Sequence, residues 1–260
     1  SFGALMRTRS VHGGRHELGQ NFLVHPPTID RIVTLVATFE GSILEIGAGG
    51  GALTAGLAGL GRQLTAIDID ERRVAALRRR HPAVHVEHAD ALQHPLDARV
   101  IAGNVPFHLT TPILRRLLRS SSWSHAVLLT QWEVARKRAG VGGGTLLTAQ
   151  SAPWFEFALH GRVPARAFRP APSVDGGLLS ITRRSASLVS DADRRAYERF
   201  VGDLFSARGR GMASILATVA RMPRPVARRV LQAGGIPPEA LPRDLSGEQW
   251  ARLWRECARR

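Results

Sequence analysis

Residues 42–46, Ser-Ile-Leu-Glu-Ile, have the apolar run of a strand and pass directly into Gly47-Ala48-Gly49-Gly50-Gly51-Ala52. A strand that breaks on glycines and restarts as a helix near Ala52 exposes free N–H groups at the helix N-terminus. The glycines let backbone approach a ligand closely. The same rhythm continues downstream. Residues 63–69 read as a strand, 71–79 as a helix, and 83–87 and 99–102 as two more strands. Thr110–Arg119 reads as a helix with Ile113, Leu114, Leu117 and Leu118 on one face, and 124–130 as a strand. Strands alternating with helices predict an α/β fold, a parallel sheet covered on both faces.

Beyond residue 150 the rhythm changes. Residues 154–163 and 177–182 read as strands bridged by a loop holding Pro164, Pro170 and Pro172. After Arg184 everything reads helical. Ser190-x-x-Asp193 has the form of a capping box ahead of Tyr197, Phe200, Val201, Leu204 and Phe205 at helical spacing. Ser246-x-x-Gln249 opens a last helix with Trp250, Leu253, Trp254 and Cys257 on one stripe. The expected organisation is a flexible basic arm over 1–16, a Rossmann-like catalytic domain over 17–184 and a small helical domain over 185–260.

Charge narrows the partner. Lys and Arg number 36 against 21 acids, a net +15 with pI about 11.7. The arm carries Arg7, Arg9 and Arg15 with no acid before Glu17, and residues 183–260 alone hold 16 Arg against 8 acids. GC-rich coding explains Arg in place of Lys but not the excess of base over acid. A polyanion, above all nucleic acid, is the expected partner. No run approaches the roughly 18 apolar residues of a membrane span. The single cysteine, Cys257, excludes an internal disulfide and a multi-cysteine zinc site, and the ten His show no ligand spacing. No metal is expected, and a cytoplasmic setting is.

Two acids bear on the glycine loop. Asp68 closes the next strand about 20 residues on, where an acid accepts hydrogen bonds from ribose hydroxyls. Gly47-x-Gly49-x-x-Ala52 also fits a relaxed dinucleotide fingerprint. Glu45, inside the strand, suits a cationic or amino-bearing ligand better than pyrophosphate, and Asp90 is placed to meet an adenine amino group. Together they favour S-adenosylmethionine.

Asn104-Val105-Pro106-Phe107 follows the fourth strand. An exocyclic base amine is a poor nucleophile because its lone pair is delocalised into the ring. The Asn104 side-chain oxygen and the Val105 carbonyl can accept its two N–H bonds, and Phe107 offers a face for a flipped base. Such chemistry is mostly positioning and electrostatics. It needs no general base, so His108 is set aside.

The sequence resembles the rRNA adenine N6-methyltransferase superfamily. The resemblance rests on Gly19-Gln20-Asn21-Phe22-Leu23, Glu45 to Gly51, Asp68, Asp90, the Asn104 tetrad, and Phe168-Arg169-Pro170-Ala171-Pro172-Ser173-Val174-Asp175 in that order. Within the superfamily, Phe107-His108-Leu109-Thr110-Thr111 and residues 131–140 resemble Erm enzymes of actinomycete type. The match is dense over about 15–184 and loose over the helical tail.

The resemblance implies that Gln20, Asn21 and Leu23 line the cofactor site, that Gly47 and Gly49 pass against the cofactor, and that Asp68 and Ile69 hold its ribose side. Asp68 stands where many relatives carry Glu. Asp90 and the Ala91 backbone would hold the adenine. Asn104, Val105 and Phe107 would hold the target base, with Phe107 where relatives often have Tyr, and Phe168 would pack on its other side or against the methyl donor. The implied substrate is one adenine in the peptidyl-transferase loop, in domain V, of naked or immature 23S rRNA. Its methylation gives resistance to macrolides, lincosamides and streptogramin B. The expected enzyme is a monomer. A KsgA-type small-subunit dimethyladenosine transferase and a non-catalytic nucleic-acid-binding factor on the same fold are the alternatives.

Arg136, Lys137, Arg138, Arg208 and Arg210 are the expected RNA contacts. Trp132 and Trp154 read as core or domain-contact aromatics. Arg78, Arg79 and Arg80 close a helix where cations favour the dipole. Gly142-Gly143-Gly144 reads as a flexible loop beside the site.

Overall fold

A computed structural model describes residues 20–260; the basic arm with Arg7, Arg9 and Arg15, and Gly19, lie outside the described residues. The chain runs β1 (Phe22–Leu23), α1 (Pro26–Ala37), β2 (Ile43–Ile46), α2 (Ala52–Ala58), β3 (Leu64–Asp68), α3 (Glu71–Arg80), β4 (His85–His88), β5 (Val100–Asn104), α4 (Thr110–Arg119) and β6 (His125–Gln131). There follow α5 (Trp132–Arg138), α6 (Leu146–Ser151), β7 (Phe155–Val163), β8 (Phe168–Arg169), β9 (Gly176–Arg183), α7 (Arg194–Ser206), α8 (Met212–Val219), α9 (Arg224–Ala233) and α10 (Gly247–Ala258).

The main sheet has the order β4-β3-β2-β5-β6-β9-β7. The first five strands are parallel; β9 inserts antiparallel between β6 and β7. The sheet is therefore mixed rather than wholly parallel. Alternation along each strand builds two cores, one per face. Leu44, Ile46, Ala126 and Leu128 join Ile113, Leu114, Leu117 and Leu118 of α4. Ile43, Val127 and Leu129 join Ile32 and Val36 of α1. The switch in strand order falls between β2 and β5, and the crevice outside the carboxyl ends of such strands is where open α/β sheets bind ligands.

The helices after β9 share the α4-side core. Tyr197, Val201 and Leu204 of α7 are buried with Trp154, Phe155 and Ile181. Trp154 stacks edge-on to Tyr197, donates to Asp191 Oδ1 at 2.7 Å, and Tyr197 donates to the Ala149 carbonyl at 2.6 Å. Trp154 thus joins the sheet to the helices.

Local sequence accounts for most boundaries. Asp70 caps α3 through the Arg72 and Arg73 N–H groups, and Ser246 with Gln249 forms the full capping box expected ahead of α10. The Ser190–Asp193 box does not form: Asp191–Asp193 is a 3-10 turn without a side-chain cap. The Asp191 carboxylate accepts instead from Trp154. The glycine stretch 142–144 does not hang free either, because the Gly144 N–H donates to the Arg243 carbonyl at 2.7 Å.

Candidate active site

The carboxyl ends of β2, β3, β4 and β5 bring the predicted residues to one rim. The glycine loop leaves β2 with Gly47 at φ +66° and Gly49 at φ +55°, conformations that favour glycine. A Cβ at Gly47 would lie 3.2 Å from the Asn104 carbonyl, so the loop passes against the tetrad. Asp68, 2% exposed, locks the loop: its Oδ2 accepts from the Gly49 N–H and its Oδ1 from the Asp70 N–H, both at 2.8 Å.

Two cavities adjoin this rim and share Gln20, Gly47 and Pro106. One, of about 190 Å³, is lined by residues 20–24, Glu45, the glycine loop and Asn104. The other, about 50 Å³, is lined by Asp68, Ile69, Asp90, Ala91 and Val105. Ile69 is 45% exposed despite its apolar side chain, and it edges the second cavity. Gln20, Asn21, Leu23, Glu45, Gly47 and Gly49 therefore meet in one lobe, and Asp68, Ile69, Asp90 and Ala91 in the other.

Glu45 is shut off from solvent beneath the loop. Burial raises its pKa to about 8, against the opposing hydrogen bond from Thr54; the nearby Asp68 carboxylate raises it further. Asp90 closes the loop after β4 by accepting from the Leu92 N–H at 2.8 Å.

Asn104 ends β5. Its Nδ2 donates to the Asn21 carbonyl at 2.9 Å, which leaves Oδ1 as the amide's acceptor. Val105 is buried and its N–H donates to the Leu129 carbonyl at 2.9 Å, fixing the peptide that follows Asn104. Phe107 is half-buried and meets the fully buried Phe168 edge-on, with centroids 6.2 Å apart. Phe168 reaches this position because β8 pairs antiparallel with β1, Leu23 opposite Phe168. His108 is exposed.

The predicted RNA contacts scatter. On α5, Lys137 is exposed, Arg136 pairs with Glu133 at 3.0 Å, and Arg138 donates to Thr145 Oγ1 at 2.9 Å. Burial lowers the Arg138 pKa, with Arg115 adding to the effect. Arg208 and Arg210 are exposed between α7 and α8. A larger cavity of about 680 Å³ takes in Arg138, Arg184 and Arg243, but Glu156, Asp244 and Glu248 balance their charge.

Sequence reasoning passes over three side chains that grip the predicted ones. Thr54 holds Glu45. Arg116 of α4 donates to the carbonyls of Ala91, Gln93 and His94 and so fixes the loop beside Asp90. Arg73 of α3 touches Gln20 and Phe22. Only Thr54 carries a local signal, standing nine residues past Glu45 on the helix that the glycine loop opens.

A glycine loop over a buried acid, acids closing two neighbouring strands and an Asn-Val-Pro-Phe turn at the switch point define a nucleotide-cofactor transferase acting on a base. Known proteins agree. The profile of the family described as ribosomal RNA adenine dimethylase matches residues 11–258, and the chain belongs to that family. It is 48% identical to the mycinamicin-resistance protein MyrB of Micromonospora griseorubida over 94% of this chain and 79% of that one. It is 51% identical to an rRNA adenine N-6-methyltransferase of Corynebacterium diphtheriae, over 80% of this chain and 84% of that one. The crystal structure of the 23S rRNA methyltransferase ErmE superposes with a TM-score of 0.83 at 32% identity, covering 92% of this chain and all of that one.

Proposed function

We propose that the protein is an S-adenosylmethionine-dependent methyltransferase acting on N6 of an adenine in 23S rRNA, conferring resistance to macrolide, lincosamide and streptogramin B antibiotics. The Asn104 amide carries this reading. One of its N–H groups is held by the Asn21 carbonyl, which orients the amide and leaves its oxygen to accept from a base amine. Likeness to the mycinamicin-resistance protein and to ErmE supports the large-subunit target and the resistance.

The residues fit the cofactor by their chemistry: a buried acid for an ammonium, a loop without a Cβ at 47 and 49–51, and Asp68, Ile69, Asp90 and Ala91 around the second lobe. Bound there, S-adenosylmethionine supplies an electrophilic methyl on a sulfonium. Asn104 Oδ1 and the Val105 carbonyl accept the two N–H bonds of the adenine amine and draw its lone pair out of conjugation. Phe107 stacks on the turned-out base, and Phe168 holds the Phe107 ring edge-on. The surplus proton of the methylated amine leaves to water. Rate enhancement comes from orientation and fixed dipoles.

On this reading residues 17–184 catalyse, 185–260 grip RNA, and the enzyme works as a cytoplasmic monomer on the domain V loop of naked or immature rRNA. Lys137, Arg208 and Arg210 are exposed for phosphate contact. Mass spectrometry of 23S transcript treated with the purified protein and the cofactor tests the assignment. One N6-methylated adenine in the peptidyl-transferase loop is expected; modification of small-subunit rRNA alone would refute it.

A further inference from the structure

Residues 20–23 cross the cavity as a strap, and the contacts that hold it form a closed ring. The Gly49 N–H donates to Asp68 Oδ2, and Asp68 Oδ1 accepts from the Asp70 N–H. The Asp70 carboxylate caps α3 and lies 3.7 Å from Arg73 Nε. The Arg73 guanidinium sits 4.3 Å over the Phe22 ring and donates through Nη1 to Gln20 Oε1. Between Gln20 and Phe22, the Asn21 carbonyl accepts from Asn104 Nδ2. The Phe22 ring closes the ring back on the glycine loop, 3.2 Å from where a Cβ on Gly49 would stand.

We infer that Arg73 is a positioning residue for methyl transfer, acting through the strap on both the cofactor lobe and Asn104. The inference rests on the function proposed above. Its chemistry is the polarity of two amides. Arg73 occupies Gln20 Oε1, which turns the Gln20 Nε2 donor over to the cavity that Gln20 lines, where a carboxylate would be met by a donor and not by an oxygen. The Asn21 carbonyl occupies Asn104 Nδ2, which turns Oδ1 to the substrate amine. Releasing the guanidinium frees the strap to lift and both amides to rotate. Arg73 touches neither reactant in this scheme.

On the far side the strap is held by backbone pairing, Phe22 opposite Arg169, Leu23 opposite Phe168 and the Val24 N–H on the Ala167 carbonyl at 2.8 Å, and by the buried Leu23 side chain. Arg73 is thus, beside Asn104, a side-chain clamp on the cofactor side of the strap.

Arg73→Met keeps length and loses charge and fork; Arg73→Lys keeps a donor and a cation; Arg79→Met, on the same helix, is the control. Cofactor affinity is read by calorimetry on the protein without RNA, and transfer by single turnover on 23S transcript at saturating cofactor. Arg73→Met should weaken cofactor binding by about ten-fold, the loss of one charge-assisted hydrogen bond. It should also slow transfer at saturation, with faster amide exchange at Val24 and a fall in melting temperature of no more than a few degrees. Arg73→Lys should recover part of both effects. If Arg73→Met binds cofactor and transfers methyl like wild type, the inference falls; if it only melts earlier, Arg73 is a structural residue and the inference falls too. Should the wild-type protein neither bind the cofactor nor methylate RNA, the proposed function fails instead.

Discussion

Thr54 Oγ1 donates to Glu45 Oε1 at 2.5 Å, and neither side chain reaches solvent. A carboxyl with pKa raised to about 8 holds its proton more tightly folded than unfolded. Its contribution to stability is therefore complete in acid and is lost as pH climbs from the ordinary carboxylate range through about 8. Urea titrations should find Glu45→Gln gaining on wild type across that window and level above it. A cationic cofactor group favours the carboxylate, so wild-type cofactor affinity should rise with pH up to about 8 while that of Glu45→Gln stays flat. Parallel pH profiles of the two proteins would remove Glu45 from the cofactor site.

Asn104→Ala should nearly abolish methyl transfer and leave cofactor affinity within a few-fold, because the amide oxygen grips the target amine. The lost hydrogen bond to Asn21 costs about 1 kcal/mol, far less than the catalytic loss. Rapid-quench turnover beside equilibrium cofactor binding separates the two. Normal turnover would sink the assignment of Asn104.

Phe107 is half-buried and meets Phe168 edge-on, and a stacking role needs a ring but not the absence of a hydroxyl. Phe107→Tyr should keep most activity. Phe107→Ala should lose the roughly 1–3 kcal/mol of a stacked base. Equal single-turnover rates for the two variants would make Phe107 a packing residue.

Filter binding over a salt series tests the RNA face. Each phosphate neutralised on single-stranded RNA contributes about 0.7 to the slope of log affinity against log salt. Charge reversal at Lys137, Arg208 and Arg210 should flatten that slope without changing cofactor binding. Arg138→Ala should act on stability, since its guanidinium is tied to Thr145. A slope unchanged in the triple variant would reject this face.

The site could be read from sequence wherever one residue's chemistry is local. The glycine loop, Asp68, Asp90 and the Asn104 turn each sit at a strand end, and strand ends follow from period and glycine. Arg116 and Arg73 were invisible for the opposite reason. Each is a half-buried arginine among other arginines of its helix, and only tertiary packing sets Arg116 against the Ala91 carbonyl or Arg73 over Phe22. The short helices α5 and α6 and the two-residue strands β1 and β8 offer too few residues for a period to show. The antiparallel entry of β9 is a choice of neighbour, which apolar alternation does not encode. At α5 the basic triplet reads as uniform in sequence, yet a single residue's step, about 100° around the helix, separates a solvated Lys137 from an Arg138 held by Thr145.

Trp154 on Asp191, Tyr197 on Ala149 and Gly144 on Arg243 fasten the terminal segments to the stretch 144–154 that leads into β7, at three separate points. On the function proposed above, such fixings would hold the tail's arginines at a set reach from the Asn104 turn, as between the jaws of a caliper. An RNA bound at both would then have to bend to that gauge, and part of the choice of adenine would fall on how willingly its own strand deforms.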